Sequence, residues 1–245
     1  MAKSVGIIPL RSGSKGIKNK NKKKILGRPL FTWVLGEAIH SNLDYVYIFS
    51  DDDSILDYVN TQYKWTDKVK AIRRSKENAG DESSTESAMV ELSKLINYNY
   101  DTITLLQATS PLTNSNSINS LLSLVVDEGF DSALSVVEMK RFFWNSNGES
   151  INYDFKSRPR RQDFYGTLVE NGAVYTCKKD NLQINNNRLG GKIGLHIMEE
   201  ESFLEIDEPQ DFILVENLIK LKLNKNKGNQ SILQALVLDV DGVFT

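Results

Sequence analysis

Residues 5–24 read VGIIPLRSGSKGIKNKNKKK. Val5 to Leu10 is a continuous apolar run, the pattern of a strand buried on both faces. It passes straight into a polar segment with glycines at 13 and 16, and then into lysines. A buried strand feeding a glycine-bearing loop predicts the start of a parallel sheet, and open α/β sheets bind ligands beyond the carboxyl ends of their strands.

Outward from there the same unit repeats. Pro29 suits a first helical position, and Leu30, Phe31, Val34, Leu35, Ala38 and Ile39 recur at helical spacing. Tyr45 to Phe49 reads as a second strand, followed by the acidic cap region Ser50 to Asp53 and a short helix to about Gln62. Val69 to Ile72 reads as a third strand and Thr85 to Ile96 as a third helix. Thr102 to Leu106 is the next strand and Ser115 to Val126 the next helix. This alternation predicts an α/β fold, a doubly wound, mostly parallel sheet. From Glu138 to Gly191 the alternation fails and the text becomes rich in loops, with short strand-like pieces such as Ala173 to Cys177. Pro209 opens a last helix whose apolar positions run to Leu223.

Composition limits the function classes. Thirty Lys and Arg against thirty-two Asp and Glu leave a formal net charge of -2, so a chain that coats polyanions is disfavoured. With one cysteine, Cys177, there is no intramolecular disulfide, and two histidines, His40 and His196, provide no zinc set of the usual Cys/His kind. Neither histidine has a triad partner in sight. The apolar core of the amino terminus is too short for a signal sequence, and no apolar run reaches the ~20 residues of a membrane span. A cytoplasmic protein with neither nucleic-acid nor membrane partners is the expectation.

The charge asymmetry is local. Arg11, Lys15, Lys18, Lys20, Lys22, Lys23, Lys24 and Arg28 lie in one segment without an acid. Gly13 and Gly16 let the backbone present amide N–H groups to a phosphate while lysines supply charge. A solvated basic face is the competing reading. Neither the Walker A spacing nor G-x-G-x-x-G occurs.

Pro9-Leu10-Arg11-Ser12-Gly13-Ser14-Lys15-Gly16, continuing to Lys20-Asn21, resembles the nucleotide loop of the acylneuraminate cytidylyltransferases. Gln107 to Leu112, Arg158 to Asp163, Glu170 to Tyr175 and Gly190-Gly191-Lys192 follow in the order expected of that family, and the arginine-rich and Glu-Asn-Gly runs look most like its animal-type members. The resemblance implies a nucleotidyltransferase fold, nucleotide-diphospho-sugar transferase-like and Rossmann-like. It also implies CTP and a nonulosonic acid as substrates, Mg²⁺, and a homodimer or homotetramer. In such enzymes the anomeric hydroxyl attacks the α-phosphorus of CTP and pyrophosphate leaves.

Carried over position by position, the resemblance puts Leu10, Arg11, Ser14, Lys15, Gly16, Lys20 and Asn21 at the nucleotide, with Arg74, Ser83 and Thr85 closing over base and ribose. Helix capping competes for Asp81 to Thr85. Gln107, Thr109, Ser110, Tyr175 and Lys192 are implied on the sugar side, although Thr109-Ser110-Pro111 also reads as a turn and Tyr175 as core. Arg160 and Arg161, with Lys20, are the implied catalytic set, since guanidinium groups hold carboxylates or phosphates in bidentate fashion. Glu205 and Asp207 alternate onto one face as an Mg²⁺ platform, with helix capping as the competing role of Asp207. Two positions depart from the family pattern: Thr113 stands where an arginine is common, and Glu205 where aspartate is usual.

The domain reading is a cytidylyltransferase domain over 1–223 and a linker over 224–235. Residues 236–245 are the truncated start of a haloacid-dehalogenase-like domain, because Asp239-Val240-Asp241-Gly242 resembles the first motif of those phosphatases. Alternatives to an acylneuraminate substrate are another keto-sugar acid such as legionaminate or Kdo, or a nucleotide-binding module without turnover.

Overall fold

The computed structural model of the chain describes residues 3–13, 16–80 and 82–227. Its strands are β1 (Ser4–Leu10), β2 (Lys24–Ile25), β3 (Arg28–Pro29), β4 (Tyr45–Ser50), β5 (Val69–Arg73), β6 (Thr102–Leu106), β7 (Ser132–Met139), β8 (Thr167–Lys178) and β9 (Ile193–Met198). The helices are α1 (Phe31–His40), α2 (Asp53–Gln62), α3 (Thr85–Leu95), α4 (Ser115–Val126), α5 (Lys179–Asn185) and α6 (Pro209–Lys227). Seven strands form one sheet in the order β5-β4-β1-β6-β8-β7-β9, while β2 and β3 pair separately. Within the large sheet β8 alone runs antiparallel to its neighbours. The expected α/β, mostly parallel architecture is therefore the observed one.

β1 lies between β4 and β6, with Val5 opposite Tyr45 and Ile103, which explains its unbroken apolar run. One face packs Ile8, Leu10 and Ile48 against α1, α2 and α4. The other packs Val5, Ile7, Phe49 and Ile103 against Ala88, Met89 and Leu92 of α3. A third cluster lies off the sheet. Ile17 and Ile25, from the lysine-rich segment, are buried with Leu30, Ile206, Phe212, Val215 and Ile219.

The region read as loops contains the long strand β8, and β7, just before it, has no counterpart in the sequence reading. Ser132 and Ser135 interrupt the apolar pattern of β7; both are fully buried, with hydroxyls bonded to the Gly190 and Val174 carbonyls. Ala173 to Cys177 is one part of the twelve-residue β8. Pro29 does not begin α1. It pairs with Lys24 in the β2-β3 ladder, and the helix starts at Phe31. At the other end α6 continues to Lys227, so residues 224–227 are helical rather than linker. Ser14, Lys15, the remainder of the linker and the phosphatase-like motif lie outside the described residues.

Candidate active site

Beyond the carboxyl ends of β1 and β6 opens a cavity of about 460 Å³. Pro9, Arg11, Gly16, Lys20 and Asn21 line one side, Arg74 and Ser83 to Thr85 a second, Gln107 to Thr109 a third, and Asp207 and Glu208 the remaining edge. Of the nucleotide positions implied by sequence, Arg11, Gly16, Lys20, Asn21, Arg74, Ser83 and Thr85 meet here. Leu10 does not; its side chain is in the core.

Three cations of the basic segment serve as scaffold. Lys22 pairs with Asp52 at 2.7 Å and donates to Ser54 Oγ, tying the loop to the N-terminus of α2. Lys23 sits over the Phe212 ring at 4.5 Å, and Arg28 over Trp33 at 4.5 Å. The loop is anchored by Ile17 and Ile25 and presents Lys20 to the cavity. Lys20 Nζ donates to the Ile206 carbonyl at 3.0 Å and to Asp207 Oδ1 at 3.1 Å. Asn21 is buried and donates to the Arg11 carbonyl at 3.2 Å. Gly16 answers a steric need: a Cβ there would lie 2.7 Å from the Asp207 carbonyl oxygen.

Arg74 is 6% exposed, and its Nε has no partner among the described residues. Burial first lowers its pKa, Arg11 adds to that, and Glu91 and Asp51 oppose it. An unsatisfied buried guanidinium N–H costs free energy that an incoming acceptor would recover. The capping roles that competed with ligand roles fall to neighbours. Ser84 caps α3 by accepting from Ser87 N–H, which leaves Ser83 and Thr85 on the cavity wall. Asp211 accepts from the N–H groups of Asp207 and Glu208, which leaves the Asp207 side chain for Lys20.

A family model described as Cytidylyltransferase matches residues 5–234. The chain belongs to the cytidylyltransferase family. It is 35% identical over 220 residues to N-acylneuraminate cytidylyltransferase B of Danio rerio, covering 87% of this chain and 50% of the relative. Against N-acylneuraminate cytidylyltransferase A of the same fish it is 32% identical, covering 98% and 56%. The chain thus spans about half the length of these curated relatives. Among solved structures, a CMP:2-keto-3-deoxy-manno-octonic acid synthetase complexed with CTP superposes with a TM-score of 0.64 at 19% identity, covering 90% of this chain and 100% of that one, a likeness of fold.

In this cytidylyltransferase-family chain a second cavity, of about 390 Å³, is lined by Glu170, Asn171, Gly172, Tyr175, Phe203 and Glu205. Tyr175 donates to Glu170 Oε2 at 2.8 Å, and burial followed by that contact raises its pKa. Glu205 is half-buried, and its carboxyl is held above the ordinary range by burial, then by Asp207, against Lys20. Among the described residues no group of three or more His, Cys, Asp or Glu side chains could hold a metal alone.

Other expected site residues lie elsewhere. Ser110 is buried behind the cavity, and its hydroxyl has no partner among the described residues. Thr113, the departure from arginine, is also buried and donates to the Ser110 carbonyl at 2.8 Å, so it closes the turn. Lys192 precedes β9 at the start of β7, the opposite end of the sheet, with its ammonium over Phe130. Arg160 and Arg161 are exposed on the β7-β8 connection and do not line the nucleotide cavity. Cys177 is buried, its thiol pushed up to about 12, which leaves no thiolate nucleophile. Sequence reasoning missed Arg188, which stacks on Tyr175 at 4.2 Å and pairs with Glu86 at 3.3 Å, joining the wall of the second cavity to the first turn of α3. Only its position beside the Gly190-Gly191 motif could have drawn attention to it.

Proposed function

We propose that the chain is a CTP-dependent N-acylneuraminate cytidylyltransferase, which transfers CMP to the anomeric hydroxyl of a nonulosonic acid. The observation that carries this reading is the convergence of Arg11, Lys20 and Asn21 from the loop after β1 and Arg74 from just after β5 on one cavity at the carboxyl ends of β1 and β6. The likeness to the two fish relatives supports the acylneuraminate end of the reaction.

In this reading Arg11 and Lys20 take the phosphates, and Arg74, Ser83 and Thr85 close over the base and ribose. The anomeric oxygen bonds to the α-phosphorus, the bond from that phosphorus to the β-bridging oxygen breaks, and pyrophosphate departs. The hydroxyl proton passes to water. Catalysis is then positioning and charge neutralisation, as in other phosphoryl transfers. Asp207 and Glu205 suit Mg²⁺, a hard ion that takes one or two carboxylates with substrate phosphates. Bound there, the ion would offset charge developing on the departing oxygens.

A homodimer or homotetramer is part of the proposal. Ile193, Leu195 and Ile197 alternate onto one exposed face of the edge strand β9, with Leu168 of β8 also exposed. A cytoplasmic location is also part of the proposal; among the described residues no helix is long and apolar enough to cross a membrane. The test is pyrophosphate release from CTP and Mg²⁺ with N-acetylneuraminate, Kdn, legionaminate or Kdo, each alone. Release with N-acetylneuraminate or Kdn is expected, and none with any acceptor refutes the reading.

A further inference from the structure

The segment that brings Glu205 to the site is held by two residues outside the nucleotide cavity. Asn171 is buried where β7, β8 and the turn Glu200–Phe203 meet. Its Oδ1 accepts from Ser135 Oγ at 2.6 Å, and its Nδ2 donates to Ser202 Oγ at 3.0 Å. Ser202 also donates to the Glu199 carbonyl at 2.7 Å, so one amide ties that turn to the sheet. Opposite it β7 shifts register between Leu134 and Val136, a bulge of the kind that re-aims side chains beside sites.

The neighbouring residue meets Glu205 directly. Gly172 has φ +68°, a conformation that glycine adopts without steric cost. The space a Cβ would occupy there is filled by Glu205 Oε1, with Glu205 Cδ 2.8 Å from the same point. A glutamate side chain has considerable rotamer freedom to lose. The slot at residue 172 and the wall formed by Tyr175 and Phe203 restrict it from several sides.

We infer that Gly172 is a positioning residue for Glu205. The missing Cβ makes room for a carboxylate one methylene longer than aspartate, and Asn171 holds the turn that delivers it. This deepens the proposed function, because it rests on Glu205 and Asp207 acting as the carboxylate pair.

The test compares wild type, Gly172→Ala, Glu205→Asp, Glu205→Ala and the double variant Gly172→Ala/Glu205→Asp. Crystal structures give the carboxylate position, and electron paramagnetic resonance follows Mn²⁺ titration in the presence of CTP. In Gly172→Ala the Glu205 carboxylate should leave its place beside residue 172. Half-saturating Mn²⁺ should rise ~10-fold, the scale of lost support around a metal ligand. An aspartate oxygen, which takes roughly the place of the Glu205 Cδ, meets the added Cβ far less closely than Glu205 Oε1 does, so Gly172→Ala in the Glu205→Asp background should weaken Mn²⁺ binding clearly less than in the wild-type background.

Both alanine variants carry the same backbone strain. Equal weakening in the two backgrounds, or a Glu205 carboxylate that stays in place in Gly172→Ala, overturns the inference. Should Gly172→Ala fail to fold, a folded double variant supports the inference and an unfolded one overturns it. If Glu205→Ala binds Mn²⁺ as wild type does, the metal reading of Glu205 falls, while the crystallographic displacement still decides the role of Gly172.

Discussion

Lys20 meets Asp207 at the edge of the nucleotide cavity: its ammonium donates to the Asp207 carboxylate at 3.1 Å and to the neighbouring Ile206 carbonyl at 3.0 Å. Residues 187 positions apart are thus joined at one end of the cavity. The lysine of the amino-terminal loop and the acid before α6 form one charged unit, which a triphosphate and a cation would enter together.

Lys20→Met keeps the stem and removes the charge. Asp207 is 66% exposed, so loss of the pair should cost less than about 1 kcal/mol of stability. A charged hydrogen bond to phosphate is worth about 1.5–3 kcal/mol, so CTP affinity should fall about 10- to 150-fold. Calorimetric CTP titration beside a urea melt separates the two effects; a large stability loss with intact CTP binding would contradict the assignment.

Gly16→Ala tests the close approach of the loop to the Asp207 backbone. The added Cβ meets a carbonyl oxygen at 2.7 Å, and backbone cannot rotate away as a side chain can. Overpacking of this kind costs about 1–3 kcal/mol. Stability and CTP affinity should fall together, whereas Gly13→Ala, with open space around it, should leave stability within about 0.5 kcal/mol.

Ile17→Ala removes the apolar anchor of the loop. Ile17 is 5% exposed among Ile25, Leu30, Ile206 and Phe212. Truncation of a buried isoleucine costs about 2–5 kcal/mol. Hydrogen exchange should show faster exchange in residues 16–25 and in α6 than in β1, because the cluster joins the loop to that helix; uniform acceleration would count against this link.

His196 supplies a pH dependence. It is half-buried on β9, and burial lowers its pKa from the usual 6.5. With a depressed folded-state pKa the unfolded chain binds more protons between that pKa and about pH 6.5, so this part of the stability is present above about pH 6.5 and declines as pH falls toward the folded-state pKa. His196→Gln should show a smaller loss of urea midpoint between about pH 8 and about pH 5.5 than wild type. An identical loss would remove His196 as the source.

How much was legible follows from the range of the interactions involved. β1, β4, β6 and the helices α2, α3 and α4 could be read directly, because apolar period and capping residues act over a few positions. β7 could not, since its two serines look polar in sequence and are satisfied only by partners in β8 and near β9. The same holds for the lysines. Composition placed Lys15 to Lys24 together, yet only the fold shows Lys22 spent on Asp52, Lys23 on Phe212 and Lys20 turned to the cavity.

Local order along the chain determined the architecture and the cation-rich loop at the end of its first strand, because periodicity and glycine placement are properties of neighbouring residues. Tertiary structure decided which side chains share the cavity, bringing Arg74 and Asp207 beside Lys20 and leaving Lys192 at the far end of the sheet. Charge and hydrogen bonding act through space, and that distance exists only once β1, β6 and the segment before α6 have packed.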